Sequence, residues 1–226
     1  IPATSPAVYC SLPLIGFEKM SLPFYINSND FETPTERTSL HLKKKRFEYR
    51  TNEDTGEDEI HYLLSGINWS ILEKSLPLYE YIVDYLIENN YKHRYNLING
   101  LGKILKEDWE EETKNCLASR FILPLRAMLV KKELVKTNES YKSINSGIKF
   151  VKCDKDCDAH TLYDICNTIY NSDLAVEDEN QNWVLLRWGR YTFKPDFEEK
   201  KSDNENPIYP TIEYNNIADY IEEAKC

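Results

Sequence analysis

The chain has 226 residues, with 28 Lys plus Arg against 38 Asp plus Glu, a formal net charge of −10. That length fits one large domain or two small ones, and it allows a buried core without disulfides or metal as staples. The negative balance argues against direct nucleic-acid binding, which needs a basic face to neutralise phosphates, and against docking on anionic membranes.

Hydrophobic residues make up 41% and charged residues 29%, a globular and somewhat polar composition rather than a disordered one. No apolar run approaches the roughly 18 residues of a membrane helix. The start, Ile1-Pro-Ala-Thr-Ser-Pro6, has no Met, no basic segment and no long apolar segment, so the expectation is a fragment of a longer protein without a secretory signal. Six cysteines without such a signal imply reduced thiols and a cytoplasmic setting. In that setting the acceptor patterns at Asn68-Trp-Ser70 and Asn138-Glu-Ser140 carry no meaning.

In chain order, the first 64 residues read as β-rich. Residues 7–14 form one strand candidate; residues 22–27, with Leu22, Phe24 and Ile26 alternating, form a second. Residues 39–50 alternate Leu40, Leu42 and then Phe47, Tyr49 around the basic run Lys43-Lys-Lys-Arg46. The acidic, Gly-containing loop 52–59 is the best boundary between subregions. From Ile67 the period becomes helical: Trp69, Leu72, Leu76, Tyr79, Ile82/Val83 and Leu86 share a face to about Asn90, with Pro77 expected to break or kink it. Residues 91–102 are a connection. Asp108 caps a second helix that runs to Pro124, with Glu110, Glu111 and Glu112 in its first turn. A short helix follows at 125–132, then strands at 133–137 and 141–152. A third helix spans Ala159 to Tyr170, residues 183–188 read as a strand, and a last helix runs from Ile212 or Asn215 to Ala224. The expected class is α+β: a β-rich part, 1–64, followed by a mixed, largely helical region, 65–226, with about four helices.

Several groupings carry possible chemistry. Cys153-x3-Cys157-x2-His160-x5-Cys166 offers four soft ligands within a short stretch, enough for a tetrahedral zinc site, though its spacing is not that of the usual knuckles. The bland alternative is three small buried or surface thiols and one surface His. Lys43–Arg46 is a phosphate or targeting patch, or the solvated part of a strand. Asn99-Gly-Leu-Gly102-Lys103 lacks the spacing and the Ser/Thr of a phosphate loop. Pro195-Asp196-Phe-Glu198-Glu-Lys200 holds nuclease-type groups packed into a single polar stretch, whereas a metal site draws on converging elements. No nucleophile elbow or cysteine-protease signature accompanies His41, His61, His93 and His160, so no catalytic motif is legible.

Val8-Tyr-Cys-Ser-Leu-Pro-Leu-Ile-Gly16, Leu22-Pro-Phe-Tyr-Ile-Asn-Ser-Asn29, Glu36-Arg-Thr-Ser-Leu40 and Trp69-x2-Leu72 with Leu78-Tyr79 ahead of Ile82 and Leu86 form a pattern. It resembles the region just after the ATP-binding domain in sacsin-like proteins and related bacterial ATP-binding proteins. These belong to the GHKL superfamily of gyrase, the ninety-kilodalton heat-shock chaperone, histidine kinases and MutL. The resemblance is clearest over residues 7–90, thinner over 91–190 and absent beyond. The superfamily's Mg²⁺-binding Asn helix, Asp-x-Gly-x-Gly segment and Gly-rich lid are not in this sequence. The resemblance therefore implies an ATPase domain upstream of Ile1, with this chain as a transducer-like segment plus the region after it. It implies no cofactor in the fragment itself, and ATP and Mg²⁺ in the full-length protein. It further implies that Arg37 contacts the γ-phosphate, because a fixed guanidinium neutralises charge developing on the transferred phosphoryl group; the alternative is a surface loop charge. By this reading the chain is not catalytic alone and couples the nucleotide state of the upstream domain to conformation, or to binding of a protein partner or a second copy. The competing expectation is a protein-interaction module with no nucleotide link, in which the apolar helix faces around Trp69, Trp109 and Trp183 are core or partner surface; an exposed aromatic patch larger than a few hundred Å² would mark it. A zinc-stabilised module is a third.

Overall fold

The structure, a computed structural model, describes residues 7–14, 17, 22–36, 39–52, 55–99, 110–151, 159–193, 199–201 and 211–212. It is an α+β protein. Strands β1 (Val8–Cys10), β2 (Leu12–Pro13) and β3 (Ile26–Asn27) form a sheet in the order β2-β1-β3; β1 pairs antiparallel with β2 and parallel with β3. Residues 7–14 are thus not one strand. Ser11, at φ 61°, turns the chain back on itself. Of residues 22–27 only Ile26 and Asn27 pair, while Leu22 is buried from irregular backbone. Pro23, which has no N–H to donate to a ladder, accounts for the late start of this strand.

Leu40 and Leu42 do alternate into the core, yet the strand expected at 39–50 begins only at Phe47. Residues 41–46 bond to a helix instead. Asn68 Nδ2 donates to the His41 carbonyl (3.2 Å), Trp69 Nε1 to that of Lys43 (3.1 Å), Ser65 Oγ to that of Lys45 (2.5 Å), and the Leu63 N–H to that of Arg46 (2.9 Å). Strands β4 (Phe47–Thr51) and β5 (Asp58–Tyr62) form an antiparallel hairpin. The acidic loop read as a boundary is its turn. The Asn52 N–H donates to the Glu57 carbonyl, the Gly56 N–H donates to the Asn52 carbonyl, and Gly56 has φ 70°, which a glycine tolerates without strain.

Helix α1 (Leu64–Glu88) follows directly and buries Trp69, Leu72, Tyr79 and Val83. It runs on through Pro77. That residue lies on the exposed side, where water can satisfy the carbonyl that loses its partner, so no break results. Gly66 admits the strap 41–46: a Cβ there would sit 2.2 Å from the Arg46 carbonyl oxygen. A 3-10 turn (Arg94–Leu97) leads on. Helix α2 (Glu111–Leu117) passes through a π turn (Ala118–Ile122) into α3 (Leu123–Leu129). The chain therefore does not stop at Pro124. This proline sits at the start of α3, after a widened turn that accommodates its missing N–H.

Strands β6 (Glu133–Lys136) and β7 (Tyr141–Ser143) pair antiparallel. β8 (Phe150–Val151) pairs in parallel with β11 (Thr211–Ile212), and β9 (Tyr191–Phe193) antiparallel with β10 (Glu199–Lys201). Helix α4 is Ala159–Tyr170, as its periodicity predicts. Residues 183–188 are not a strand but part of α5 (Glu179–Arg190). Asp178 Oδ1 accepts from the Asn180 and Gln181 N–H groups, a side-chain cap that starts the helix, and Gln181, Val184 and Leu185 are then buried at helical spacing. Of the last expected helix, Ile212 is in a strand and residues 213–224 lie outside the described residues.

One hydrophobic cluster contains Val8, Leu14, Phe17, Leu40 and Leu42 together with residues of α1, α3, β6 and α5. Residues before and after position 64 thus share one core. Leu162, Cys166 and Leu174 form a smaller one. No described helix is long and apolar enough to cross a membrane.

Candidate interaction surface

The register of the β4–β5 hairpin places Phe47 opposite Tyr62 and Tyr49 opposite Ile60. Alternation along each strand puts all four side chains on one face. None is covered: Tyr49 and Tyr62 are each 65% exposed, and Phe47 and Ile60 are exposed too. The rings are mutually ordered, with Phe47 edge-on to Tyr49 (5.7 Å) and to Tyr62 (6.5 Å). The other face carries Glu48, Arg50, Glu59 and His61. There Arg50 hydrogen-bonds Glu48 (2.6 Å), and with Lys45 beside it holds the Glu48 carboxyl below its ordinary value. From these exposures the apolar face presents on the order of 400 Å², taking about 200 Å² for a large side chain. That is the size of the largest patch on an ordinary monomer.

A second uncovered surface lies on α1. Opposite its buried stripe, Leu78, Tyr81, Ile82 and Tyr85 recur at three and four residues, and all are exposed, Tyr81 by 71% and Leu78 by 66%. The helix is apolar on two sides, whereas a helix at the surface of a monomer normally has one polar face.

Beneath the hairpin, Arg46 bonds Glu73 and lies 5.8 Å from the centre of the Trp69 ring, and Arg120 lies 5.4 Å from the same ring. The basic run 43–46 is thus a strap across the start of α1. Lys43, Lys44 and Lys45 face solvent, and Lys45 pairs with Glu48. It is not a bare cationic patch.

Arg37 lies outside the described residues. The segment around it is fastened at both ends: the buried Asn68 amide accepts from the Glu32 N–H (2.8 Å) and donates to the Glu32 and His41 carbonyls (2.7 and 3.2 Å). Of the zinc candidates, Cys153 and Cys157 lie outside the described residues. His160 is exposed on α4, 3.5 Å from Glu177 Oε2. Cys166 is buried beside Leu162 and Leu174, and its thiol is pushed up by burial. Six residues of helix turn these two side chains about 120° apart, so α4 does not bring them together. Among the described residues no group of three or more His, Cys, Asp or Glu is placed to hold a metal. Trp69 is core, Trp183 is half exposed, and Trp109 lies outside the described residues. In the Asn99–Lys103 stretch only Asn99 is described, and in 195–200 only Glu199 and Lys200, both in β10.

The pair Ile60/Tyr62 is absent from the sequence reading, although its alternation mirrors Phe47/Tyr49 across Gly56. Of the pair Ile82/Val83, Val83 is the residue that points inward and Ile82 is exposed. Comparison of the chain with family models, curated proteins and solved structures returned no match.

Proposed function

We propose that this chain is a protein-interaction module without catalytic chemistry of its own, and that the apolar face of the β4–β5 hairpin is where a protein partner docks. The observation that supports it is the in-register, uncovered set Phe47, Tyr49, Ile60 and Tyr62. A two-stranded hairpin is marginal in water and gains from being covered. Tyr and Phe are the side chains that anchor protein interfaces. The occupant is an apolar protein surface rather than a polyanion, because the reverse face mixes both signs of charge and the chain carries −10 overall. The test places the photo-crosslinker benzoylphenylalanine at Tyr49 and, on the reverse face, at Arg50. One discrete adduct from position 49, absent from position 50 and lost with Tyr62→Ser, is expected. Equal adducts from both positions, or none from either, overturns the reading.

A second reading rests on the GHKL resemblance. It is favoured by the packing of the matching stretches into one core: Val8, Leu14, Leu22, Ile26, Trp69, Leu72 and Tyr79 share a cluster. In this reading the chain follows a sacsin-like ATPase domain, which binds ATP and Mg²⁺, and Arg37 answers to the γ-phosphate. The Asn68 clamp then links the Arg37 segment to α1, giving a nucleotide-dependent contact a route to the exposed helix. In the longer protein, Arg37→Ala slows ATP turnover while leaving ATP binding nearly intact; unchanged turnover refutes it.

A further inference from the structure

We infer that the exposed stripe of α1 is the interface of a two-fold dimer, with the α1 helices of two copies packed antiparallel about Tyr81 and Ile82. The inference uses α1 alone and does not rest on the hairpin reading.

The argument begins with what the stripe offers. Leu78, Tyr81, Ile82 and Tyr85 lie within two helical turns on one side of a 25-residue helix whose other side is already core. Anchors at i, i+3, i+4 and i+7 are the pattern by which a helix is gripped by another apolar surface. The stripe is centred between 81 and 82, and it is self-complementary about that point. In an antiparallel pair, Leu78 of one copy meets Tyr85 of the other, and Tyr81 meets Ile82. Each contact then occurs twice, as two-fold symmetry requires.

Charge at the ends selects the second copy and its direction. Lys74 and Glu88 are both exposed and stand seven residues either side of Tyr81, about 10 Å along the axis. Antiparallel packing brings Lys74 of one copy beside Glu88 of the other at both ends of the stripe. Parallel packing sets Lys74 against Lys74 and Glu88 against Glu88, and aligns the helix dipoles unfavourably. Measured from the centre between 81 and 82, Lys74 lies one residue farther out than Glu88, about 1.5 Å along the axis, an offset that the long lysine side chain spans; opposite charges at nearly equal distances suit a second copy better than an unrelated apolar partner.

The area fits a reversible dimer rather than an obligate one. The four apolar side chains expose on the order of 450 Å² per copy, which with the flanking residues gives about 1,200 Å² in total, the low end for specific interfaces. A dissociation constant on the order of 10 µM is the matching expectation.

The experiment is sedimentation equilibrium of the 226-residue chain from about 1 to 300 µM, with circular dichroism on every variant to confirm the fold. The chain is expected to pass from monomer to dimer, and Ile82→Arg to remain monomeric. Lys74→Glu and Glu88→Lys each weaken the dimer about fivefold, since each alters two ion pairs, and the double variant Lys74→Glu/Glu88→Lys returns to within about twofold of the parent. A monomer throughout the range overturns the proposal. So does a dimer that Ile82→Arg leaves intact, or one in which the charge swap does not restore affinity. A hairpin variant such as Tyr49→Ser, tested alongside, leaves the dimer unchanged; loss of the dimer there moves self-association to the hairpin and overturns the α1 assignment.

Discussion

The clamp at Asn68 makes a sharp prediction. Its buried amide satisfies the Glu32 N–H and the Glu32 and His41 carbonyls, joining the segment 32–41 to the first turn and a half of α1. Asn68→Ala removes all three bonds and leaves the Glu32 N–H and the His41 carbonyl without partners, while the Glu32 carbonyl keeps the His41 N–H (3.5 Å). A buried unsatisfied group costs about 1–3 kcal/mol, but Glu32 and His41 are only half-buried, so water recovers part of the loss, and about 3 kcal/mol is the working figure. Urea unfolding followed by circular dichroism reads this as a lowered midpoint at unchanged slope. Asn68→Asp discriminates further. It keeps the acceptor for the Glu32 N–H but turns an oxygen toward two carbonyls, so the carboxylate form is disfavoured and its folded-state pKa rises above the unfolded value. A raised pKa contributes stability that is present at low pH and lost as pH rises through the folded value. Asn68→Asp is therefore most damaging at neutral pH and partly relieved on acidification, relative to the parent. An Asn68→Ala variant within about 0.5 kcal/mol of the parent refutes the clamp.

Three further outcomes follow from buried geometry. Arg94, buried, donates to the Ile87, Tyr91 and Glu133 carbonyls and lies over the Tyr141 ring at 3.9 Å; Arg94→Met costs about 3 kcal/mol in urea unfolding, and Arg94→Lys, lacking the planar fork, does not restore it. Gly66→Ala costs about 2 kcal/mol despite alanine's better helix propensity, because the new methyl meets the Arg46 carbonyl, and a neutral effect in the same assay contradicts the strap. Burial lowers the pKa of Lys132, but its hydrogen bonds to Asp84 and Glu80 outweigh that and hold it above 10.5. Its contribution is therefore complete below about pH 10.5 and lost as pH rises through the folded value; the stability gap between parent and Lys132→Met, followed across that window, should narrow.

The helices were the most legible elements, because a long apolar period survives local ambiguity. The α1 pattern from Trp69 to Leu86 and the α4 pattern from Leu162 to Ile169 lead to the observed helices. The strands were less so. Leu40 and Leu42 alternate as a strand should, but the carbonyls of His41, Lys43 and Lys45 beside and after them accept from Asn68, Trp69 and Ser65 of a helix, and no local pattern encodes such a partner. Trp183 to Trp188 is apolar enough for a strand, and the cap that decides for helix, Asp178, lies five residues before it. The candidate surface was half visible. Phe47/Tyr49 could be read as alternating, but that nothing covers them is a fact of packing. The second apolar side of α1 was hidden because a pattern read for a single core-facing stripe leaves Ile82 and Val83 as alternatives for one position, and only packing turns Val83 inward and Ile82 outward.

The most direct test of the interaction-surface account is the unfolding free energy of Tyr49→Thr/Tyr62→Thr. Threonine keeps the strand propensity and removes the rings. If the hairpin face is an open docking surface in the isolated chain, the double variant stays within about 1 kcal/mol of the parent, the scale of exposed cross-strand contacts. A loss of about 3 kcal/mol or more, the cost of emptying a packed core, would show that this face is already covered and contradict the account.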